Sequence, residues 1–363
     1  MLTPFLAIAL LQASPRPPAL PATPPDAAAK PVERGPIPGL VAADSKPVQI
    51  ATGFRFTEGP ASDATGQFYF VDVPTARVMR LVSHELDASR AHDNATEFVV
   101  NNGGCFGLMF DHRGRLFGTQ GGPPGLSASG APAKVKRGGL VEIDLATKEI
   151  RHLDATVEID GESLPVQRSN DLAVDRAGGA YVTDPSLGRT KSKTKGVLYR
   201  AEDGTATRVD STIEAPNGVR LSPDGKRLYV LSYADPGVYR FEVLSPGKLG
   251  PAEKFASLVG ADGIAPRGRG DGLALDMHGN LWCTNPDAAE IQVISPEGTM
   301  LGRVGFPEAP SNCAFGGPDG KTLFVTAVTS VYALRTEVIG FWLARTANDA
   351  PAIQTPTAVP EGQ

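Results

Sequence analysis

Six positions of the sequence share one spacing, and five of them carry a carboxylate or an amide. Each stands eight residues before a glycine that an apolar run follows: Glu58, Phe106, Asn170, Asn217, Asp271 and Asn312. None is His or Cys, and oxygen ligands of this kind suit Ca²⁺ best, with Mg²⁺, Mn²⁺ or Zn²⁺ as alternatives. Two carboxylates would balance one divalent cation and would repel each other without it. If the six positions converge, the sequence predicts one metal site.

Taken singly, these residues have simpler interpretations. Asn217-Gly218 and Asp271-Gly272 are common turn dipeptides, and Asn312 could only hydrogen-bond the backbone. Glu58 is different, because Glu followed by Gly59-Pro60 suits neither a turn nor the start of an apolar strand. Its type and place therefore favour a metal ligand more strongly than those of the other five.

A repeated hairpin pattern would bring these residues together. Each repeat has a polar residue, a glycine that suits a tight turn, and an apolar strand. The glycines are Gly66, Gly114, Gly178, Gly225, Gly279 and Gly320. Six units with room for four strands each predict an all-β, six-bladed propeller over residues 44–344, with a double β-sandwich as the alternative. We expect a strand near residues 48–54 to join the sheet within 323–342, and the six positions to ring one mouth of the channel.

The ends of the chain differ from the repeats. Residues 1–13 resemble a signal peptide and predict export to the periplasm or outside the cell, although the run is too short to span a membrane. Residues 14–43 form a Pro/Ala-rich linker, and 345–363 a flexible tail. A net charge of -5 argues against nucleic-acid binding. The three cysteines lack a CxxC pair and lie in apolar runs, which predicts buried, reduced thiols.

Several motifs resemble those of the gluconolactonase and regucalcin (senescence marker protein) family. They are Glu58-Gly59-Pro60, Ser169-Asn170-Asp171, the run YVTDPSLG from Tyr181, Pro216-Asn217-Gly218, Asp271-Gly272 and the run NCAFGGPDGKTLFVTA from Asn312. The resemblance extends over about residues 50 to 342. It implies a six-bladed propeller with one divalent metal on its axis. It also implies hydrolysis of sugar lactones or related lactones, or in some members of organophosphates.

The resemblance assigns roles to five residues. It implies that Glu58, Asn217 and Asp271 bind the metal, with Asp271 also the catalytic base or nucleophile. Asn170 matches a residue that faces substrate and, in some members, the metal. Arg168 resembles an arginine that contacts substrate in the animal proteins. The sequence does not decide between direct attack by Asp271 and attack by an activated water.

The second repeat departs from the family pattern. Phe106 stands where many bacterial relatives have Asn, and residues 118–120 replace a Cys-Glu-His run, which leaves the substrate open. The Gly-rich segment 121–138 is interpreted as a flexible loop near the mouth or a lid. Our main hypothesis is a metal-dependent lactonase acting on a small-molecule lactone such as gluconolactone. The alternatives are hydrolysis of another ester or a phosphotriester, and a calcium-stabilised binding module. The oligomeric state is not predicted.

Overall fold

The computed structural model describes residues 32–121, 139–153, 156–166, 168–186, 192–264 and 266–347. These residues form six separate β-sheets, which are the six predicted blades. The signal-peptide prediction, the linker as far as residue 31, the segment 122–138 and the tail from residue 348 lie outside the described residues. The all-β, six-bladed propeller predicted from the repeat is confirmed.

The first strand, β1 (Val48–Thr52), belongs to the last blade. Blade 1 comprises β2 (Thr57–Ser62), β3 (Phe68–Asp72), β4 (Arg77–Leu81) and β5 (Ala95–Val100). Blade 2 comprises β6 (Cys105–Phe110), β7 (Leu116–Gln120), β8 (Leu140–Ile143) and β9 (Ile150–Leu153). Blade 3 has two further outer strands and comprises β10 (Thr156–Ile159), β11 (Glu162–Pro165), β12 (Leu172–Val174), β13 (Ala180–Asp184), β14 (Gly196–Arg200) and β15 (Ala206–Asp210).

Blade 4 comprises β16 (Pro216–Leu221), β17 (Arg227–Ser232), β18 (Gly237–Ser245), β19 (Lys248–Leu249) and β20 (Glu253–Ser257). Blade 5 comprises β21 (Leu273–Asp276), β22 (Leu281–Asn285), β23 (Glu290–Ile294) and β24 (Met300–Gly305). Blade 6 comprises β25 (Pro310–Gly316), β26 (Thr322–Ala327) and β27 (Ser330–Arg335). A short strand, β28 (Gly340–Phe341), then returns to pair with β21 of blade 5. Short 3₁₀ turns lie at Val73–Thr75, Ala88–Arg90, Pro286–Ala288 and Leu343–Ala347.

Both ends of the propeller build blade 6. β1 pairs antiparallel with β27, with Val48 opposite Ala333 and Thr52 opposite Ser330. The predicted closure by a strand near residues 48–54 is therefore confirmed. Because β1 immediately precedes blade 1, its pairing with β27 ties the last blade to the first and closes the ring.

Apolar side chains pack between neighbouring blades rather than into one central core. The rings of Phe68 in blade 1 and Phe324 in blade 6 are 4.4 Å apart. Tyr69 of blade 1 meets Phe110 of blade 2 in the same way. The second strand of a blade is covered on both faces, and all five residues of β3 and of β22 are buried. This burial explains why the second strands read as continuous apolar runs.

The hairpin glycines and cysteines behave as the sequence predicts. All six hairpin glycines have positive φ, between 72° and 85°, which L-residues other than Gly rarely adopt. The three cysteines are buried and unpaired. Among the described residues, no helix has the length and apolar character required to cross a membrane.

A segment before the first blade contacts the propeller. Ile37, Leu40 and Val41 are buried in the cluster formed by blades 5 and 6. Arg34 donates a 2.7 Å hydrogen bond to Oε2 of Glu290. Part of the stretch interpreted as a linker is thus packed against blade 5.

Candidate active site and metal centre

The ring positions lie where the innermost strands of the blades begin. β2, β6, β16 and β25 each carry an irregularity in register at this point, for example between Glu58 and Ala61 in β2 and between Pro216 and Val219 in β16. A bulge inserts an extra residue, bends the strand and re-aims a side chain. The repeated irregularities therefore mark the level at which the blades turn side chains towards the axis.

The glycines that follow the ring residues allow the innermost strands to approach one another closely. A Cβ atom at Gly59 would lie 2.3 Å from the carbonyl oxygen of Phe106 in the next blade. At Gly218 it would lie 2.3 Å from the carbonyl oxygen of Asp271, which accepts a 2.8 Å hydrogen bond from the Gly218 N–H. Asn217 and Gly218 lie within β16, so the turn interpretation of this pair is wrong.

Hydroxyl side chains link neighbouring blades at the level of the ring residues. The Thr183 hydroxyl in blade 3 donates a 2.6 Å hydrogen bond to the carbonyl oxygen of Asn217 in blade 4. Thr284 of blade 5 donates to Ser311 O at 3.1 Å, and Ser311 Oγ donates to Thr57 O of blade 1 at 2.7 Å. These bonds join neighbouring blades directly beside the ring residues, and such support holds a site in a defined geometry.

Glu58, Asp271, Asn217 and Asn312 form one connected group. Glu58 Oε2 accepts hydrogen bonds from the Gly59 N–H at 2.9 Å and from Asn312 Nδ2 at 3.3 Å. Asp271 is hydrogen-bonded to the Asn217 side chain and lies close enough to Glu58 for the two charges to interact. Glu58, Asn217 and Asn312 are buried, whereas Asp271 is half-buried. Two carboxylates from blades 1 and 5 thus meet among amide groups.

Burial and neighbouring negative charges make Glu58 and Asp271 difficult to ionise. Burial, followed by repulsion from Asp271 and Asp171, raises the pKa of Glu58 well above its usual range. Burial and then repulsion from Asp171 raise the pKa of Asp271 to about 7, although the Asn217 hydrogen bond and the Arg269 charge act in the opposite direction. A carboxyl pKa near 7 at the mouth of a channel is typical of functional sites.

A third carboxylate, Asp171, lies beside the pair and is the partner of an arginine. Its Oδ2 accepts a 2.9 Å hydrogen bond from Arg220 Nη1, and its Oδ1 accepts one of 2.8 Å from the Leu172 N–H. The Asp171 side chain is 1% exposed and that of Arg220 12%. This ion pair was not predicted. The signals were the Ser-Asn-Asp motif and a charged residue within the apolar strand β16.

The other predicted residues lie around the same mouth. Asn170 precedes β12 and is half-buried, and its carbonyl oxygen accepts a 3.0 Å hydrogen bond from the Gly107 N–H. Its side chain makes no hydrogen bond to the residues that the structure describes, which leaves its amide for a ligand. Arg168 is half-buried at the entrance to blade 3, next to Gly121. Phe106 is half-buried and packs against the blade 1–2 cluster, so it brings no oxygen ligand.

An aromatic–arginine pair at the mouth was not predicted from the sequence. The Arg269 guanidinium lies over the Tyr233 ring at 4.7 Å and forms a salt bridge with Asp287 at 2.5 Å. Burial and then the charge of Asp271 raise the pKa of Tyr233. Arg269 stands two residues before Asp271, and this proximity in sequence was the available signal.

The donor set fits a hard divalent cation. Within the described residues no three His, Cys, Asp or Glu side chains cluster as a metal site, so carboxylates alone do not complete one. The carboxylates of the buried Glu58 and the half-buried Asp271, together with the amides of Asn217 and Asn170, supply oxygen ligands and a formal charge of about -2. A divalent cation would offset the burial and the carboxylate repulsion that raise both pKa values. Glu58, Asp271, Asn217 and Asn170 are the residues that would hold it.

Comparison with known proteins decides the family. A model of the SMP-30/gluconolactonase/LRE-like region matches residues 56–329, which is most of the chain. The chain belongs to this family. The resemblance carried by Glu58-Gly59-Pro60 and the other motifs is thereby confirmed.

Relatives in the SMP-30/gluconolactonase/LRE-like family cover nearly the whole propeller. A gluconolactonase of Zymomonas mobilis is 28% identical over 321 residues, which are 82% of this chain and 83% of that protein. A gluconolactonase structure from Xanthomonas campestris superposes with a TM-score of 0.66 at 22% identity, covering 88% of this chain and 99% of that one. Regucalcin of Agrobacterium tumefaciens, a calcium-binding protein, superposes with a TM-score of 0.60 at 20% identity, covering 85% and 97%. At these identities the structural matches establish the fold alone.

Proposed function

We propose that this protein is a divalent-metal-dependent lactonase that opens the ring of a sugar lactone such as gluconolactone. The observation that carries the proposal is the meeting of Glu58 and Asp271, from blades 1 and 5, in one shared space among amide groups. Family membership and the gluconolactonase of Zymomonas mobilis, similar over most of both chains, support the reaction class.

We assign Glu58, Asn217, Asp271 and Asn170 as ligands of one cation, for which Ca²⁺ fits the oxygen donors best. When bound, such an ion supplies electrostatic activation of a carbonyl and of water. The asymmetric surroundings of the two carboxylates divide their roles. Glu58 is buried and accepts two hydrogen bonds, so it is suited to binding. Asp271 is half-buried and therefore accessible to substrate and water.

In the proposed reaction, Asp271 takes a proton from the water whose oxygen attacks the lactone carbonyl carbon. The ring C–O bond then breaks, and Asp271 returns the proton to the departing alkoxide to give a hydroxy acid. Asn170 and Arg168 donate hydrogen bonds to substrate hydroxyls or to the developing oxyanion. Arg269, two residues from Asp271, favours its ionised form and so keeps the base ready.

A lactone panel with and without chelator tests the proposal. Hydrolysis of glucono-1,5-lactone, corrected for the uncatalysed reaction, should disappear in excess EDTA and return with added Ca²⁺. Glu58→Gln and Asp271→Asn should each lose most of the activity while folding normally. Full activity in chelator, or in both variants, would rule out the metal-dependent mechanism. Turnover of phosphotriesters in preference to every lactone would reassign the substrate.

Base catalysis and direct attack by Asp271 differ in where the oxygen of water first appears. In a single turnover in ¹⁸O water, base catalysis places the label in the hydroxy acid and leaves the Asp271 carboxylate unlabelled. Label in the Asp271 carboxylate after several turnovers would instead identify a covalent mixed-anhydride intermediate.

A further inference from the structure

A cavity of about 470 Å³ lies at the end of the channel opposite the metal centre. The ring residues begin the innermost strands, whereas the walls of this cavity come from the far ends of the same strands: Pro60, Leu108, Phe110, Val174, Leu221 and Phe315. Small-molecule sites typically enclose about 300 to 1,000 Å³ and are mostly apolar. The cavity has this size and character, yet none of the residues proposed for lactone hydrolysis lines it.

The chain after blade 6 forms the floor of the cavity. Phe341 pairs with Leu275 of blade 5, and Trp342 Nε1 donates a 3.0 Å hydrogen bond to Asp63 O of blade 1. Leu343 is buried with residues of blades 2 and 3. The segment therefore crosses the channel from blade 5 to blade 3. Because it closes this end of the channel, the end forms a pocket.

The opening lies between the hairpins of blades 3 and 4. Five residues of the lining are exposed, and all belong to turns of these two blades: Arg176, Ala177, Asp224, Gly225 and Pro246. The other lining residues are buried or half-buried. A ligand can thus reach the cavity from solvent without passing the metal centre.

Arg220 is the polar group of the inner wall. Its Nη1 donates to Asp171 Oδ2, Leu172 O and Val219 O at 2.9, 3.0 and 2.7 Å. Its Nε and Nη2 make no hydrogen bond to the described residues, and neither is among their fully enclosed unpaired atoms. The guanidinium thus keeps donors that reach accessible space, and the space it lines is the cavity. An arginine can only donate, so its partner there must be an acceptor.

The surrounding charges decide which acceptor fits. Asp171 already balances Arg220, and the rim carries two carboxylates, Asp175 and Asp224, and one arginine, Arg176. An anionic ligand would therefore meet no surplus of positive charge, whereas a neutral carbonyl or hydroxyl oxygen needs none. Asp175 is itself occupied by the Tyr199 hydroxyl at 2.8 Å and the Gly179 N–H at 2.9 Å.

We propose that this cavity binds an uncharged, largely apolar small molecule of about two-ring size, whose one hydrogen-bond acceptor faces Arg220. The apolar walls formed by Val174, Leu221, Phe315 and Leu343 would cover its body. The inference does not depend on the proposed reaction, because the cavity has its own opening and its own polar group.

Displacement of a fluorescent probe tests the proposal on the full chain. N-phenyl-1-naphthylamine, neutral and apolar, should bind saturably. Three competing ligands of similar shape then test which chemical group the cavity recognises. Benzophenone has a neutral acceptor, diphenylmethane has none, and diphenylacetate is an anion. Benzophenone should displace the probe at about tenfold lower concentration than diphenylmethane, and diphenylacetate should be weaker still. No saturable binding, or equal displacement by all three, would overturn the proposal.

Variants locate the bound probe. Leu221→Gln keeps the side-chain size but makes the wall polar, and should weaken binding at least about fivefold. The same substitution at the exposed Leu244, which is outside the cavity, should have no effect. Ala314→Phe, at a half-buried position on the lining, should fill part of the cavity and reduce binding as well. Unchanged binding in both cavity variants, or loss of binding in Glu58→Gln, would show that the probe binds elsewhere.

Discussion

Asn312 Nδ2 lies 3.3 Å from Glu58 Oε2, so the ring residue of the last blade holds the carboxylate of the first. The two residues come from the blades that close the propeller, where β1 also pairs with β27. Closure of the fold and orientation of a proposed metal ligand therefore occur at the same junction. This geometry gives Asn312 a positioning role, which the sequence alone left as a backbone contact.

Replacing Asn312 with alanine should weaken metal binding without changing the ligand set. Loss of the hydrogen bond frees the Glu58 carboxylate to rotate, and residues that orient a ligand typically contribute a factor of about 10 to 100 in affinity. Calcium titration by calorimetry measures the effect. Asn312→Asp offers a comparison, because it keeps the size but adds a charge. If Asn312→Ala binds Ca²⁺ as tightly as the unmodified protein, Asn312 does not position Glu58.

Glu58→Gln should weaken Ca²⁺ binding by about 100-fold or more, because ligand charge largely sets the affinity of oxygen sites. In chelator, the same variant should melt no lower than the unmodified protein, since it removes a buried charge that repels Asp271. Glu97→Gln, on the outer strand of blade 1, is a control that should change neither property. A lower melting temperature with unchanged affinity would give Glu58 a purely structural role.

The stability of the metal-free protein should fall as pH rises from about 4 to about 7. The folded-state pKa of Asp271 is raised from 3.8 to about 7, so the folded protein holds a proton that the unfolded chain has lost in this interval. Thermal melting in EDTA across this range measures the effect. Asp271→Asn should reduce the slope, and saturating Ca²⁺ should restore stability near pH 7.

Protons and Ca²⁺ should compete for the same carboxylates. Below pH 7, binding of the ion must displace the proton of Asp271, so the apparent affinity should rise by about tenfold per pH unit for each proton released. Calorimetry in buffers of different ionisation enthalpy counts those protons. An affinity that is constant between pH 5 and 7 would contradict the raised pKa.

The features predicted well from the sequence are those that each blade repeats. Each hairpin turn requires a glycine for reasons of local geometry. The constant eight-residue spacing from that glycine predicted that Glu58, Asn217 and Asp271 lie at one level of the propeller. Features that depend on two blades at once were not predictable. Gly218 was interpreted as a turn residue, but Gly218 and Gly59 both allow the neighbouring strand to approach closely, which only the position of that strand reveals.

Two other misses have similar causes. Ile37 lies in a Pro-rich stretch without periodicity, so no pattern indicated that it packs into the blade 5–6 cluster. Arg220 occurs once, in one blade, and its partner Asp171 is in another. The repeat pattern assigns no role to a residue that occurs in one blade only.

Arg168→Ala should reduce lactone hydrolysis by about 10- to 100-fold while leaving Ca²⁺ affinity unchanged. The kinetic constants report what Arg168 contacts: an increase in KM with kcat retained indicates a substrate hydroxyl, and a decrease in kcat indicates the oxyanion. Arg113→Ala, which removes an exposed arginine from a blade 2 hairpin, is the matched control. Unaltered kinetics in Arg168→Ala would remove this residue from the site.

Arg220→Met should destabilise the metal-free protein by about 3 to 5 kcal/mol, because it leaves the buried Asp171 carboxylate without its cation. Asp171→Asn combined with Arg220→Met removes both charges and should recover much of this loss. Urea unfolding of the four proteins in EDTA completes a double-mutant cycle. Additive effects of the two substitutions would mean that the 2.9 Å contact contributes little to stability.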